Sequence, residues 1–100
     1  MTKNIFYLGK TYSCEFIKDV QVTGEDIVDE KYRIFVDKTS RMAFLVNDIN
    51  MAIVSEVLPK YAFDAILDKE NKDHEKEVNI LCNDFALRIN ELWEDEVEIN

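Results

Sequence analysis

The side chains able to act as nucleophiles or bases are few and lie far apart along the chain. His74 is the only histidine, and the two cysteines are Cys14 and Cys82. On one helix, Cys82 would lie eight positions after His74, or roughly 12 Å along the axis, whereas a nucleophile and its base need a separation of about 3 Å. The spacing excludes a local Cys–His pair, and we expect His74 to be a solvated residue in the first turn of a helix.

Other familiar catalytic and metal-binding motifs are missing from the sequence. The three serines lie in no nucleophile-elbow pattern, and neither glycine belongs to a phosphate-binding loop. Zinc needs clustered Cys and His ligands, and the acidic segment 25–30 lacks the spacing of a calcium-binding loop. We therefore expect no enzymatic activity, no metal and no cofactor. One enzymatic hypothesis stays open, a hydrolase or metal-dependent enzyme built on carboxylates, which only geometry can reveal.

The charge of the chain is strongly negative and unevenly distributed. Twenty-one acidic and 12 basic side chains give a net charge of −9, of which −8 falls in residues 51–100. Binding to a phosphate backbone or an anionic membrane needs clustered Lys and Arg, and no such cluster occurs. The composition therefore disfavours direct nucleic-acid and membrane binding, and it favours a basic protein as the partner.

The two cysteines and the lengths of the apolar runs indicate the cellular compartment. Each cysteine is isolated among apolar residues, which is typical of buried thiols in a reducing compartment. The apolar run near the start covers only residues 5–8, too short for a secretion signal, and no run reaches the roughly 18 residues of a membrane span. We expect a cytoplasmic protein.

The first half of the chain has the pattern of a β-sheet with about four strands, between about residues 4 and 47. Apolar runs on either side of Gly9-Lys10 predict a tight hairpin. In its second strand, one face would carry Tyr12, Cys14 and Phe16. Residues 20 and 22, both valines, extend this strand.

A second hairpin is predicted from residues 32–36 and 42–46, joined by the polar five-residue loop 37–41. Four apolar side chains of this hairpin are candidates for the buried face, and two fall on the opposite face. The expected buried set is Ile34, Val36, Phe44 and Val46, and the expected opposite set is Phe35 and Leu45.

The second half is predicted to form two or three helices between about residues 49 and 96. A first helix would cover 49–58, although its β-branched residues leave a strand possible, and Pro59 marks a break or a new first turn. A short helix ending near Asn71 would follow. The last helix would begin after Asp73 and bury a stripe at three- and four-residue spacing, formed by Val78, Leu81, Cys82, Phe85, Ile89, Leu92 and Trp93. The whole chain, residues 1–100, is thus expected to be one α+β domain.

The opposite face of the last helix carries a small apolar strip bordered by carboxylates. Ile80 and Leu87 form the strip, with Glu77, Asp84 and Glu91 beside it. Three interpretations are open: the preceding helix covers the strip, a second copy of the chain binds it, or a partner protein binds it. The tail, 94–100, is either a solvated chain end or part of an anionic surface, and the expected partner-binding set includes its residues Glu94, Asp95 and Glu96.

These patterns lead to a functional hypothesis without a catalytic site. An acidic binding module would occupy a basic, nucleic-acid-binding surface of another protein and inhibit it. Phage inhibitors of host defence and immunity proteins against nuclease toxins are analogies in size and charge only. The alternative hypothesis is a homo-oligomeric structural or assembly protein, for instance a homodimer that buries Ile80 and Leu87.

Overall fold

In the computed structural model, the described residues form an α+β fold with one sheet and two helices. The structure describes residues 2–24, 27–49 and 52–99, with the side chains of 23–30 and 90–99 outside the description. All pairings within the sheet are antiparallel, and the strand order follows the chain, β1-β2-β3-β4-β5. The elements are β1 (Thr2–Tyr7), β2 (Lys10–Gly24), β3 (Ile27–Asp37), β4 (Met42–Val46), β5 (Ile53–Val57), α1 (Lys60–Leu67) and α2 (His74–Ile99). The α+β class is confirmed, with five strands where about four were expected.

The first hairpin turns one residue earlier than predicted. Tyr7 pairs with Lys10, so the two turn residues are Leu8 and Gly9. Both have positive φ, 49° and 81°, as a two-residue type I′ turn requires. The predicted Gly9-Lys10 turn is wrong because Leu8 adopts a left-handed conformation that leucine rarely occupies.

The second hairpin has a four-residue loop, one residue shorter than predicted. Asp37 pairs with Met42, and its carboxylate accepts hydrogen bonds from the Thr39 N–H at 3.0 Å and the Ser40 hydroxyl at 2.8 Å. Arg41 closes the loop with φ 59°. These local bonds make Asp37 the last paired residue of β3, and they fix the register.

The shorter loop overturns the predicted faces of β3 and β4. Phe35 lies opposite Phe44, and Ile34 lies opposite Leu45. Because side chains alternate along a strand, a shift of one residue moves every partner to the other face. The expected grouping of Ile34 with Phe44 is therefore wrong, and both faces are buried.

The two faces of the sheet support separate cores. On the face covered by the helices, the main core joins β2–β5 with α1 and α2, and it includes Ile34, Leu45, Phe63, Leu81 and Phe85. On the other face, which we call the aromatic face, none of the described helical residues contributes. Its buried members are Ile5, Cys14, Phe35, Phe44 and Val46, with Tyr7, Tyr12, Phe16, Met42 and Ile53 partly buried around them. The predicted shared face of Tyr12, Cys14 and Phe16 is confirmed.

A β-bulge lets β2 serve both cores. The pairing register shifts between Phe16 and Lys18, so Ile17 is an extra residue in the strand. Phe16 belongs to the aromatic face, whereas Ile17 and the later Val22 lie in the main core. Even-numbered side chains therefore face the aromatic face before the bulge and the main core after it.

The sheet curls around its aromatic face. The Lys3 ammonium of β1 lies 5.7 Å from the ring centroid of Phe35 on β3 and 3.8 Å from Asp48, which follows β4. In a flat sheet, strands are about 4.8 Å apart, so Asp48, at the end of a strand three positions away from β1, would lie beyond the reach of Lys3. Arg33 donates to the same Asp48 carboxylate at 2.7 Å, and this bond, ahead of smaller effects, lowers the pKa of Asp48.

Residues 53–57 form a strand, so the predicted helix over 49–58 is wrong. β5 pairs with β4 along its whole length, because Ile53, Val54 and Val57 fit a pleated, half-buried surface. Pro59 does mark the break: it is the N-cap residue of α1, which ends at Leu67 rather than near Asn71.

The last helix is confirmed in type and in its buried stripe. Val78, Leu81, Phe85 and Ile89 are buried and Cys82 is half-buried. The side chains of Leu92 and Trp93 lie outside the described residues. Neither α1 nor the described part of α2 is long and apolar enough to cross a membrane.

Candidate partner-binding surface

Ile80 and Leu87 are exposed on α2. The side chains retain 46% and 63% of their accessible surface, respectively. The interpretation that the preceding helix covers them is therefore wrong. The reason is the shortness of α1, whose buried residues Ala62, Phe63 and Ile66 belong to the main core.

A small cavity, which we call the notch, lies between α1 and α2. It has a volume of about 160 Å³, and α1 forms one wall of it beside Ile80. Its lining is apolar at the base and acidic at three points. The lining residues are Glu56, Leu58, Pro59, Tyr61, Ala62, Ile66, Glu77, Ile80, Leu81 and Asp84.

Three carboxylates line the notch, and only two were predicted. Glu77 and Asp84 come from α2, seven residues apart and thus on one side of the helix. Glu56 comes from β5. The sequence analysis missed Glu56 because it placed residues 49–58 in a helix; alternation along a strand would have put Glu56 on the helix side together with Val54.

Glu56 is the most constrained of the three carboxylates. Burial raises its pKa, the Arg88 guanidinium at 4.0 Å counteracts this, and the Asp84 carboxylate adds to it. Its Oε2 atom is buried and accepts no hydrogen bond from the described residues. Arg88 also donates a hydrogen bond to the backbone carbonyl of Ser55, so its guanidinium is divided between that bond and the ion pair with Glu56. The notch thus holds carboxylate charge that one neighbouring cation only partly balances.

Exposed apolar side chains extend the surface beyond the notch. Tyr61 on α1 keeps 72% of its surface, and Leu87 continues the strip along α2. Carboxylates beside apolar surface suit a long basic side chain, whose aliphatic stem packs while its charged end meets the acids. The arrangement can bind lysine or arginine side chains of another protein.

The C-terminal part of the predicted binding set cannot be placed. The side chains of Glu91, Glu94, Asp95 and Glu96 lie outside the described residues, although the backbone there belongs to α2. Their contribution to the anionic surface remains a prediction.

His74 is a structural residue in this fold. It is only 4% exposed, and its Nδ1 lies 3.1 Å from the carbonyl oxygen of Ala65 in α1, to which it donates. The expectation of a solvated first-turn histidine is wrong because α1 packs against the start of α2. His74 therefore joins the two helices that form the notch.

The remaining reactive groups form no cluster. Among the residues whose side chains the structure describes, no three His, Cys, Asp or Glu residues converge to hold a metal ion. Cys14 and Cys82 are free thiols. Burial, and secondarily Asp37, raises the pKa of Cys14 to about 11, and burial raises that of Cys82 despite the opposing effect of Lys18. Neither thiol is activated as a nucleophile.

A second, larger hollow of about 580 Å³ lies between β2 and α2, with Cys82 in its wall. Lys18 and Glu75 form an ion pair across it at 3.3 Å, so opposite charges meet at this hollow. With Asp19 also in its wall, the lining of the hollow has a net charge of −1, whereas the three carboxylates of the notch give its lining −3. No protein-family model, curated protein or solved structure matches the chain.

Proposed function

We propose that this protein is an acidic binding module that uses the notch and the neighbouring face of α2 to hold a basic surface of another protein. The observation that carries the proposal is the meeting of Glu56, Glu77 and Asp84 around the exposed Ile80. Carboxylates beside apolar surface supply both long-range attraction and close contact.

The natural targets are proteins whose cationic surfaces normally hold nucleic acid. Such surfaces present rows of Lys and Arg, which α2 can meet with Glu77, Asp84 and, in the predicted continuation, Glu91. Occupying that surface would inhibit the target, as phage anti-defence proteins and toxin-immunity proteins do. The net charge of −9 would accelerate the encounter and make it sensitive to salt.

Self-association through the same strip is the weaker hypothesis. A symmetric contact places the same patch on both subunits. It would bring Glu77 and Asp84 of one copy close to the same carboxylates of the other, and like charges at an interface oppose binding. The charge of the strip therefore favours a different, basic partner.

The test begins with capture of the partner from the native host and elution in a salt gradient. Dissociation constants for the purified partner are then measured between low and high salt. Wild type is expected to bind more weakly as salt rises, and Glu77→Lys/Asp84→Lys to lose at least about tenfold in affinity. Asp19→Lys/Glu70→Lys is the matched control, since it changes the net charge equally at exposed positions away from the notch.

Two results would count against the proposal. Equal losses for both double variants would show that only net charge matters. An affinity that does not change with salt would remove the electrostatic argument altogether.

A further inference from the structure

The two edges of the sheet differ in how they are protected. β1 and β5 are the edge strands, and an edge strand presents unpaired N–H and C=O groups to which another strand can bind. At β5, the Asn47 N–H donates to the Ala52 carbonyl, which makes this a hydrogen-bonded pair. Hydrogen-bonded and non-hydrogen-bonded pairs alternate along an antiparallel pair of strands. Ser55, paired with Phe44, therefore belongs to a non-hydrogen-bonded pair, and its backbone N–H and C=O point away from β4. Arg88 of α2 donates to that outward carbonyl, so an incoming strand would have to displace this side chain at the middle of the β5 edge.

The β1 edge has no comparable cover among the described residues. Tyr7 and Lys10 flank a two-residue turn and therefore form a hydrogen-bonded pair. By alternation, the backbone groups of Thr2, Asn4 and Phe6 point away from β2. All three residues are exposed, and Phe6 keeps 68% of its surface.

This edge is complementary to itself. If two β1 strands pair antiparallel about Asn4, each Asn4 lies opposite its copy and each Thr2 lies opposite Phe6 of the second copy. Every one of these pairs can exchange both main-chain hydrogen bonds. Lys3 then lies opposite Ile5 of the second copy, so no like charges are directly opposed.

The charge distribution permits the approach of a second copy on this side. Residues 2–17 contain two lysines and one glutamate, a local charge of +1 in a chain of −9. The acidic notch is built instead from β5, α1 and α2. Its carboxylates therefore stay outside the contact, where solvent and salt screen them.

We propose that β1 is a dimerisation edge, through which two copies of this chain join their five-stranded sheets into one continuous sheet. The contact leaves the notch free, so the dimer would present two partner-binding surfaces. The proposal does not depend on the proposed function, and either can fail without the other.

Analytical ultracentrifugation or light scattering after size exclusion tests this over a range of concentrations. Wild type is expected to approach twice the 11.8 kDa chain mass as its concentration rises. Asn4→Pro removes an outward N–H that β2 does not use, and an edge strand tolerates proline. We expect it to weaken dimerisation about tenfold or more, since one hydrogen bond is lost from each copy. Asn4→Ala keeps the N–H and should still dimerise.

A pair of charge variants tests the register in which the two β1 strands pair, without the change in backbone that proline brings. Asn4→Lys and Asn4→Glu each place like charges opposite one another at the two-fold axis, so each alone should dimerise several-fold more weakly. An equimolar mixture should form a heterodimer, because opposite charges then meet. A wild type that stays monomeric to about millimolar concentration would overturn the proposal. A dimer abolished by Leu87→Asp but unchanged by Asn4→Pro, or a mixture without heterodimer, would also overturn it.

Discussion

Removing the His74 side chain should destabilise the fold, because one hydrogen bond and the packing of one buried ring are lost. The last four carbonyls of a helix have no partner within that helix. In α1, the Asp64 carbonyl is satisfied by the Asp68 N–H, and the Ala65 carbonyl is satisfied by His74 Nδ1 at 3.1 Å. His74→Ala leaves the Ala65 carbonyl buried without that donor and opens space beneath α1.

The expected loss follows from these two terms. An orphaned buried acceptor costs about 1–3 kcal/mol, and truncating a ring that is only 4% exposed adds a cavity term. The expected decrease in the free energy of unfolding is about 2–4 kcal/mol, which is a large fraction of the roughly 5–15 kcal/mol by which a typical domain is stable. At this chain length, it corresponds to a decrease of about 8–30 °C in Tm.

Urea and thermal unfolding, followed by circular dichroism, would measure the loss. His74→Phe keeps the ring area but has no donor, whereas His74→Asn has a donor near the position of Nδ1 and a smaller volume. We expect the Phe variant to lose about 1–3 kcal/mol, and the Asn variant to recover part of the loss seen with Ala. Lys76→Ala, at an exposed position of the same helix, should change stability by less than about 0.5 kcal/mol. A Phe variant as stable as wild type would refute the role of the hydrogen bond.

Three further predictions concern the turn, the thiols and the notch. Leu8→Asn should stabilise the fold by up to about 1 kcal/mol in urea unfolding, because Asn tolerates the positive φ at this position. Leu8→Ala is the control: it also removes the exposed apolar side chain, but alanine does not favour a positive φ, so it should not stabilise the fold. Below pH 9, a thiol reagent should label the half-buried Cys82 before the buried Cys14, with its pKa of about 11; equal labelling rates would contradict the burial of Cys14. Glu56→Gln should stabilise the fold at pH 7, because a raised carboxyl pKa means that the charged form is disfavoured in the folded state. The gain in unfolding free energy should disappear as the pH falls through the raised pKa of Glu56 and below its ordinary value of 4.5, because the wild-type carboxyl is then protonated in both states. A gain that does not change with pH would refute this link between the pKa of Glu56 and stability.

The sequence alone determined the features that depend on local pattern. The stripe from Val78 to Ile89 predicted the buried face of α2, since helical spacing repeats whatever the helix packs against. Pro59 predicted the break before α1 because its ring prevents a helix from continuing through it. The acidity of the second half and the positions of Glu77, Ile80, Asp84 and Leu87 on one side of α2 also followed from spacing.

Tertiary structure decided the features that depend on partners distant in sequence. The faces of β3 and β4 were set by the loop bonds of Asp37, which shortened the turn by one residue and so grouped Ile34 with Leu45 on one buried face and Phe35 with Phe44 on the other. Residues 53–57 became a strand because β4 offered an edge for pairing. Glu56 reached the notch because β5 pairs with β4, and His74 became buried because α1 packs beside α2. Such contacts depend on the packing of whole elements, which no local spacing encodes.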